Sequence, residues 1–133
     1  MGGRIVIGVD GSAGSVAALR WAVDEARHRD ATVEAVMCRH EGHSPGSALG
    51  RGERSLDRVL DANGLAARAD LGFELLQTTA EGKPGPTLCS IARDADLLVV
   101  GSRGHGEIGG MMLGSVSQHC THHSPCPVVV VPS

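Results

Sequence analysis

Two apolar runs, residues 97–100 (LLVV) and Val128–Val131 (VVVV), constrain the fold of this chain more than any other feature. Strands with one face in water alternate apolar and polar residues, whereas strands buried on both faces form continuous apolar runs. Residues 4–9 form a third strand-like run, and the segment 13–29 has helical spacing of its apolar residues. This alternation predicts an α/β fold: a single domain over residues 1–133, with an open parallel five-stranded sheet and helices on both faces.

The other predicted elements continue the alternation. Prolines on both sides of Val128–Val131 suit an edge strand, and an uncovered valine edge invites pairing with another chain. We therefore expect a homodimer in which two copies pair through this strand. The remaining predicted strands are 31–38, 71–78 and 96–100, and the remaining predicted helices are 51–67, 87–94 and 114–122.

Composition excludes several classes of function. A net charge of −3, with one Trp, one Phe and no Tyr, argues against binding nucleic acid. No apolar run approaches the roughly 20 residues of a membrane helix, and the strand-like N-terminus predicts no signal peptide, so we expect a cytoplasmic protein. The four cysteines have no paired C-x-x-C spacing, which favours reduced thiols. The Cys and His residues of 119–126 are better explained by a helix end than by a zinc site.

The segment after residues 97–100 carries the main functional signal. It reads GSRGHGEIGGMMLGSVS, with glycines at 101, 104 and 114, and it leads into the predicted helix 114–122. Glycines allow close approach of a ligand to the backbone, and the amides at a helix start favour negative charge. We predict that this segment binds phosphate through Gly101, Ser102, Arg103 and Gly104, with further donors from Ser115, Val116 and Ser117.

Two other segments are expected to meet it, because ligands of open parallel sheets bind beyond the carboxyl ends of the strands. The first is GVDG, residues 8–11, where Asp10 would accept hydrogen bonds from a ribose hydroxyl or help to hold Mg²⁺. The second is Met37-Cys38, where the backbone at Met37 would bind an adenine edge and the side chain would cover the ring. The sequence therefore predicts a nucleotide-binding domain.

Two nucleotide-binding motifs are absent, since the chain has neither GxxxxGK[ST] nor a GxGxxG turn after its first strand. No spacing identifies a nucleophile with its base, so we assign no catalytic residue and consider binding the more economical hypothesis. The residues leave open a slow ATPase or nucleotidyl-transfer enzyme that uses Asp10 with Mg²⁺, and a nucleotide-free dimerisation module. A redox role for Cys38 or Cys120 also stays open, because it depends on exposure and on the thiol pKa.

Nearly the whole chain, from Ile5 to Val131, resembles a universal stress protein (UspA-like) domain. The resemblance rests on IVIGVDGS in the first strand, on DADLLVVGSRGHG, and on LGSVSQHCTHHSPCPVVVVP at the end. Gly101, Gly104, Gly114 and Ser115 match the G-x2-G-x9-G-[ST] signature of the family's ATP-binding branch.

The resemblance implies a Rossmann-like fold of the adenine-nucleotide α-hydrolase type and a homodimer built through the last strand. It implies a stress-survival regulator with at most weak ATP hydrolysis, and ATP or AMP as the bound nucleotide. It extends the predicted site to His105 and Gly106, so that the implied binding residues are Gly8, Asp10, Met37, 101–106 and 114–117. The short segment between the second strand and the second helix, residues 40–50, departs from the family at the rim of the pocket.

Overall fold

The computed structural model describes residues 3–39, 56–65, 72–103 and 113–132. Its five strands form one parallel sheet, in the order β3-β2-β1-β4-β5, which confirms the predicted fold class. The strands are β1 Arg4–Gly8, β2 Thr32–Arg39, β3 Leu75–Glu81, β4 Leu97–Gly101 and β5 Val128–Val131. The helices are α1 Ala13–Arg29, α2 (residues 56–62 of the described chain), α3 Pro84–Ile91 and α4 Ser115–His123.

Alternating side chains of the strands supply two cores, one on each face of the sheet. Ile5 and Ile7 of β1 point to one face, where they pack with α1 and α2, while Val6 points to the other. On that second face Leu88 of α3 and Cys120 of α4 pack against the sheet. Helices therefore cover both faces, which explains why residues 97–100 of β4 carry no polar side chain.

Helix α1 has the bounds that the sequence predicts. Ser12 is its N-cap, and the Ser12 hydroxyl accepts a hydrogen bond from the Ser15 amide at 3.2 Å. Asp30 ends the helix in a left-handed conformation, with φ 57°. Both ends of this helix are thus fixed by local sequence.

Two predicted elements are displaced in the structure. Strand β3 begins at Leu75, because Gly72 adopts a left-handed φ of 81° and pairing with β2 starts at Leu75. It continues to Glu81, opposite Arg39, three residues beyond the predicted end at 78. Helix α3 begins at Pro84 and not at residue 87, and residues Ala92–Asp94 form a 3-10 turn. Proline has no amide hydrogen to satisfy, so it fits the first helical position.

Strand β5 lies at the edge of the sheet, as the prolines predict, and its four valines are only partly buried. No helix among the described residues combines the length and apolar character required to cross a membrane. Predictions for residues 40–50, 51–55 and 66–71 lie outside the described residues.

Candidate functional site

A pocket lies beyond the carboxyl ends of the central strands β1 and β4. The chain runs from β1 outward through β2 to β3 and then returns to β4 on the other side of β1, so strand order reverses here. Open parallel sheets bind ligands at such a point. The pocket encloses about 520 Å³, including the part open to solvent, and is lined by residues of β1, β2, β4, α3, α4 and their connections. From the predicted site the lining includes Gly8, Asp10, Gly101, Arg103, Gly114, Val116 and Ser117.

The turn between β1 and α1 forms one edge of the pocket. The Asp10 carboxylate accepts hydrogen bonds from the amide of Ser12, at 2.8 Å, and from the Ser12 hydroxyl. The Asp10 amide in turn donates to the hydroxyl of the buried Ser15 at 3.2 Å. Asp10 therefore fixes the start of α1 beside the pocket, in addition to any contact with a ligand.

The connection from β4 to α4 is closed by hydrogen bonds to the carbonyl of Ser102. The Gly114 amide donates to this oxygen at 2.6 Å, and the Ser117 hydroxyl donates to it at 2.9 Å. The same hydroxyl also donates to the Gly114 carbonyl at 3.1 Å. Ser117 is 1% exposed, so its side chain holds the two ends of this segment together.

The N-terminus of α4 gives the pocket a positive end. Gly114 is the N-cap and offers no side chain to the first turn, and intrahelical bonding starts with the amide of Gln118 donating to Gly114. The amides of residues 115–117 precede that ladder, where the helix dipole favours an anion. Arg103, exposed on the pocket lining, adds a cation. The Ser115 side chain is exposed, and neither Ser115 nor Ser102 belongs to the described lining.

The opposite end of the pocket is apolar, and sequence reasoning missed most of it. Val36 and Cys38 of β2 and Pro84 and Leu88 of α3 form this wall. Burial raises the pKa of the Cys38 thiol from 9.0 to about 11, so the thiol is neutral near pH 7. The proline at 84 was a sequence signal for part of this wall. Proline marks the start of a helix, and a helix that follows β3 starts at the edge of the sheet where the strands end.

Met37 lies on β2 between two residues of this wall, but its side chain points to the other face. There it packs in the core that contains α1 and is 9% exposed. Neighbouring residues of a strand point to opposite faces, so Val36 and Cys38 reach the pocket and the Met37 side chain does not. Contact through the Met37 backbone stays a prediction.

Gly101 has a structural reason to be glycine. A Cβ built on Gly101 would lie 2.7 Å from the carbonyl carbon and the carbonyl oxygen of Gly14 and 3.2 Å from the Ser15 amide nitrogen. Glycine thus allows the end of β4 to pack directly on the backbone of the first turn of α1. This contact sets the separation between two borders of the pocket.

Part of the predicted site lies outside the described residues, namely Gly104, His105 and Gly106. Across the four ranges that the structure describes, no group of three or more His, Cys, Asp or Glu side chains is arranged to hold a metal ion. The Mg²⁺ role of Asp10 therefore stays a prediction tied to a bound nucleotide.

One family of known proteins matches nearly the whole chain. The family model described as the universal stress protein family matches residues 1–132. Universal stress protein Rv2624c of Mycobacterium tuberculosis is 32% identical over 133 residues, which cover 97% of this chain and 48% of the relative. The chain therefore spans about half the length of the curated relatives that it matches.

Solved structures share the fold. A universal stress protein in complex with cAMP matches with a TM-score of 0.73 and 28% identity, covering 98% of this chain and 96% of that chain. A universal stress protein family protein from Arabidopsis thaliana with AMP bound has a TM-score of 0.65 and 19% identity, covering 98% and 91%. At that lower identity the second likeness concerns the fold alone.

Proposed function

Because this chain belongs to the universal stress protein family, we propose that it is a stress-response regulator that binds an adenine nucleotide between β1 and β4. One observation carries the proposal: the pocket at the strand-order reversal has an apolar wall at one end and a helix N-terminus with an arginine at the other. The pocket is concave and mostly apolar, with a few polar groups at one end, which is the usual character of a small-molecule site.

The phosphates bind at the positive end. The first-turn amides of α4 and the Arg103 guanidinium provide charge-assisted donors, and the hydrogen bonds at Ser102 hold these groups in position before a ligand arrives. Such preorganisation lowers the entropic cost of binding. ATP is the expected nucleotide and AMP the alternative.

The adenine binds against the apolar wall. Val36 and Leu88 present buried aliphatic surface beside the neutral Cys38 thiol, a suitable environment for the flat face of a base. The ribose then lies near Asp10, between the two ends. A carboxylate there accepts from the ribose hydroxyls, or contributes to a Mg²⁺ ion that accompanies the phosphates.

Regulation requires that ATP bind two states of the protein with different affinity, since equal affinity shifts no equilibrium. The borders of the pocket include the starts of three helices, α1, α3 and α4. Each of these helices follows a different strand of the sheet. A ligand that contacts all three is able to favour one arrangement of them. Nucleotide occupancy then changes the surface that a partner protein meets.

The protein assembles as a homodimer through the edge strand β5. The four valines of this strand are partly exposed. The backbone N–H and C=O groups along its outer edge gain hydrogen-bond partners when the same edge of a second copy pairs with it. A monomeric mass by light scattering at micromolar concentration contradicts this assembly.

The test is to purify the protein without added nucleotide, denature it, and identify any released nucleotide by ion-pairing chromatography with mass detection. Titration of the emptied protein with ATP, AMP and adenosine then gives the affinity for each. Arg103→Gln should weaken ATP binding by about tenfold, as expected for loss of one charge-assisted hydrogen bond, and leave adenosine binding unchanged.

Arg93→Gln is the matched control, because Arg93 is exposed in the 3-10 turn that precedes β4, at the other end of that strand. It should bind every ligand like the unmodified protein. No binding of ATP or AMP at millimolar concentration refutes the proposal, and an equal loss in both arginine variants refutes the role of Arg103.

A further inference from the structure

All four cysteines of this chain lie on one side of the sheet, although they come from three separate regions of the sequence. Cys120 of α4 is fully buried in the core on the face covered by α3 and α4. Cys38 of β2, Cys89 of α3 and Cys126, before β5, are partly buried and pack against the same core. The fold therefore gathers into one cluster the thiols that the sequence leaves scattered.

Two of these thiols are close neighbours. Cys89 of α3 and Cys120 of α4 belong to the same core, and each thiol influences the pKa of the other. The two helices approach closely one turn before Cys89, where a Cβ on Gly85 would lie 2.8 Å from the His119 ring. Glycine at 85 thus brings α3 near enough to α4 for the sulfur atoms to meet.

We propose that Cys89 and Cys120 are a redox-active pair, which a peroxide converts to a disulfide that links α3 to α4 beside the pocket. In the first step the Cys89 thiolate attacks one oxygen of hydrogen peroxide, the O–O bond breaks, and hydroxide leaves, giving a sulfenic acid. In the second step the Cys120 sulfur attacks the Cys89 sulfur, the S–O bond breaks, and water leaves with the thiol proton. Together two thiols and one peroxide yield one disulfide and two waters.

The environments of the two thiols set this order. Cys89 is partly exposed and accessible to peroxide, whereas Cys120 is not. Burial raises the pKa of Cys89, and the neighbouring Cys120 thiol offsets part of this rise by favouring the thiolate. Burial and the neighbouring thiols raise the pKa of Cys120 to about 12, so Cys120 acts second and attacks from within the core. Raised pKa values keep both thiols mostly protonated near pH 7, so the reaction with peroxide is slow.

The disulfide lies between two walls of the pocket. Leu88, which lines the apolar wall, precedes Cys89, and Val116, which lines the phosphate end, lies one helical turn before Cys120. A covalent link between α3 and α4 therefore restricts the relative movement of both walls. Oxidation should change the affinity for adenine nucleotide by about fivefold or more, in the range of ordinary coupling between sites. This coupling rests on the proposed function, whereas the disulfide itself does not.

The experiment treats the reduced protein with hydrogen peroxide and counts thiols after denaturation, expecting a fall from four per chain to two. Digestion with trypsin yields a peptide of residues 69–93, which contains Cys89. It also yields the peptide that follows Arg103, which contains both Cys120 and Cys126. A crosslink between these two peptides should appear, and reductant should remove it. The crosslink should be absent in Cys89→Ser and present in Cys126→Ser. Cys126→Ser is the matched control, because Cys126 is partly buried like Cys89. Cys120→Ala should also abolish it, with circular dichroism showing that this variant folds.

Four remaining thiols, a crosslink that persists in Cys89→Ser, or one that disappears in Cys126→Ser overturns the pair. An unchanged ATP affinity after oxidation, in protein shown to carry the disulfide, overturns the coupling. If the reduced protein binds no nucleotide at all, the proposed function fails while the thiol count still decides the disulfide.

Discussion

Gly101→Ala tests the close packing of β4 on α1. Its comparison with Gly8→Ala shows whether a rigid backbone neighbour makes an added methyl group more costly than a flexible side chain does. The added Cβ would lie 2.7 Å from two backbone atoms of Gly14. Neither Gly101 nor Gly8 has a φ in the left-handed region, so alanine fits the backbone conformation at both positions. At Gly8 the added Cβ would also lie 2.7 Å from its nearest atom, but that atom is the Cδ1 of Leu88, the end of a flexible side chain.

The expected magnitudes follow from what has to move. A backbone neighbour cannot rotate away, so Gly101→Ala should incur the upper end of the usual cost of overpacking, about 3 kcal/mol. Alanine restricts the unfolded chain and returns about 0.7 kcal/mol, which leaves a loss of about 2 kcal/mol. At Gly8 a rotation of Leu88 should limit the cost to about 1 kcal/mol. The same gain from the unfolded chain then makes Gly8→Ala nearly neutral.

The assay is urea unfolding of the nucleotide-free protein, followed by far-ultraviolet circular dichroism and by the fluorescence of Trp21, the only tryptophan. With an m-value of about 2 kcal/mol/M, Gly101→Ala should lower the midpoint by about 1 M. Gly8→Ala should shift it by less than about 0.3 M. All proteins are compared at one concentration, because a dimer makes the midpoint depend on concentration.

Equal midpoints for Gly101→Ala and the unmodified protein would show that β4 does not pack on the backbone of α1 in the way described. Equal losses in the two variants would refute the argument that the flexibility of the neighbour decides the cost. A larger loss of stability in Gly8→Ala than in Gly101→Ala would mean that the side-chain neighbour is the more costly one, the opposite of this argument.

Two further changes test other contacts of the site. Ser117→Ala removes the hydroxyl that donates to Ser102 and Gly114 and should destabilise the protein by about 1 kcal/mol in the same urea assay; an unchanged midpoint contradicts the proposed closure. Because burial raises the pKa of Cys38 from 9.0 to about 11, the unfolded chain loses this proton first as the pH rises. Stability should therefore fall from about pH 9 to about pH 11 in reductant, and fall less steeply in Cys38→Ala; parallel curves for the two proteins would exclude this contribution.

Sequence alone predicted the parts of the fold that depend on neighbouring residues. Helix α1 begins at its serine cap and ends in the expected place, because capping and helical spacing act within a few residues. The predicted parallel sheet also follows from local patterns, since continuous apolar strands that alternate with helices have few other arrangements. The glycine segment and the GVDG turn indicated the edge of the sheet at which the pocket lies, because all parallel strands end there.

Errors appeared where long-range pairing overrides local preference. Strand β3 continues to Glu81 because β2 offers hydrogen bonds as far as Arg39, which no local pattern within residues 71–78 reveals. The apolar wall was missed for a related reason: Leu88 and Val36 meet only when α3 folds back across the sheet. Met37 was expected to cover the ligand, but the parity of its position on β2 turns its side chain toward α1.

The sequence by itself determined the class of fold, the end of the sheet that carries the pocket, and the positive charge at one end of that pocket, since each depends on residue type and local spacing. The tertiary structure alone decided which side chains face one another. It made Gly101 a packing contact with Gly14, and it joined Cys89 to Cys120 across two helices. Such contacts depend on strand register and on how closely two helices pack. Both are set by the folding of the whole chain, so no single segment of the sequence predicts them.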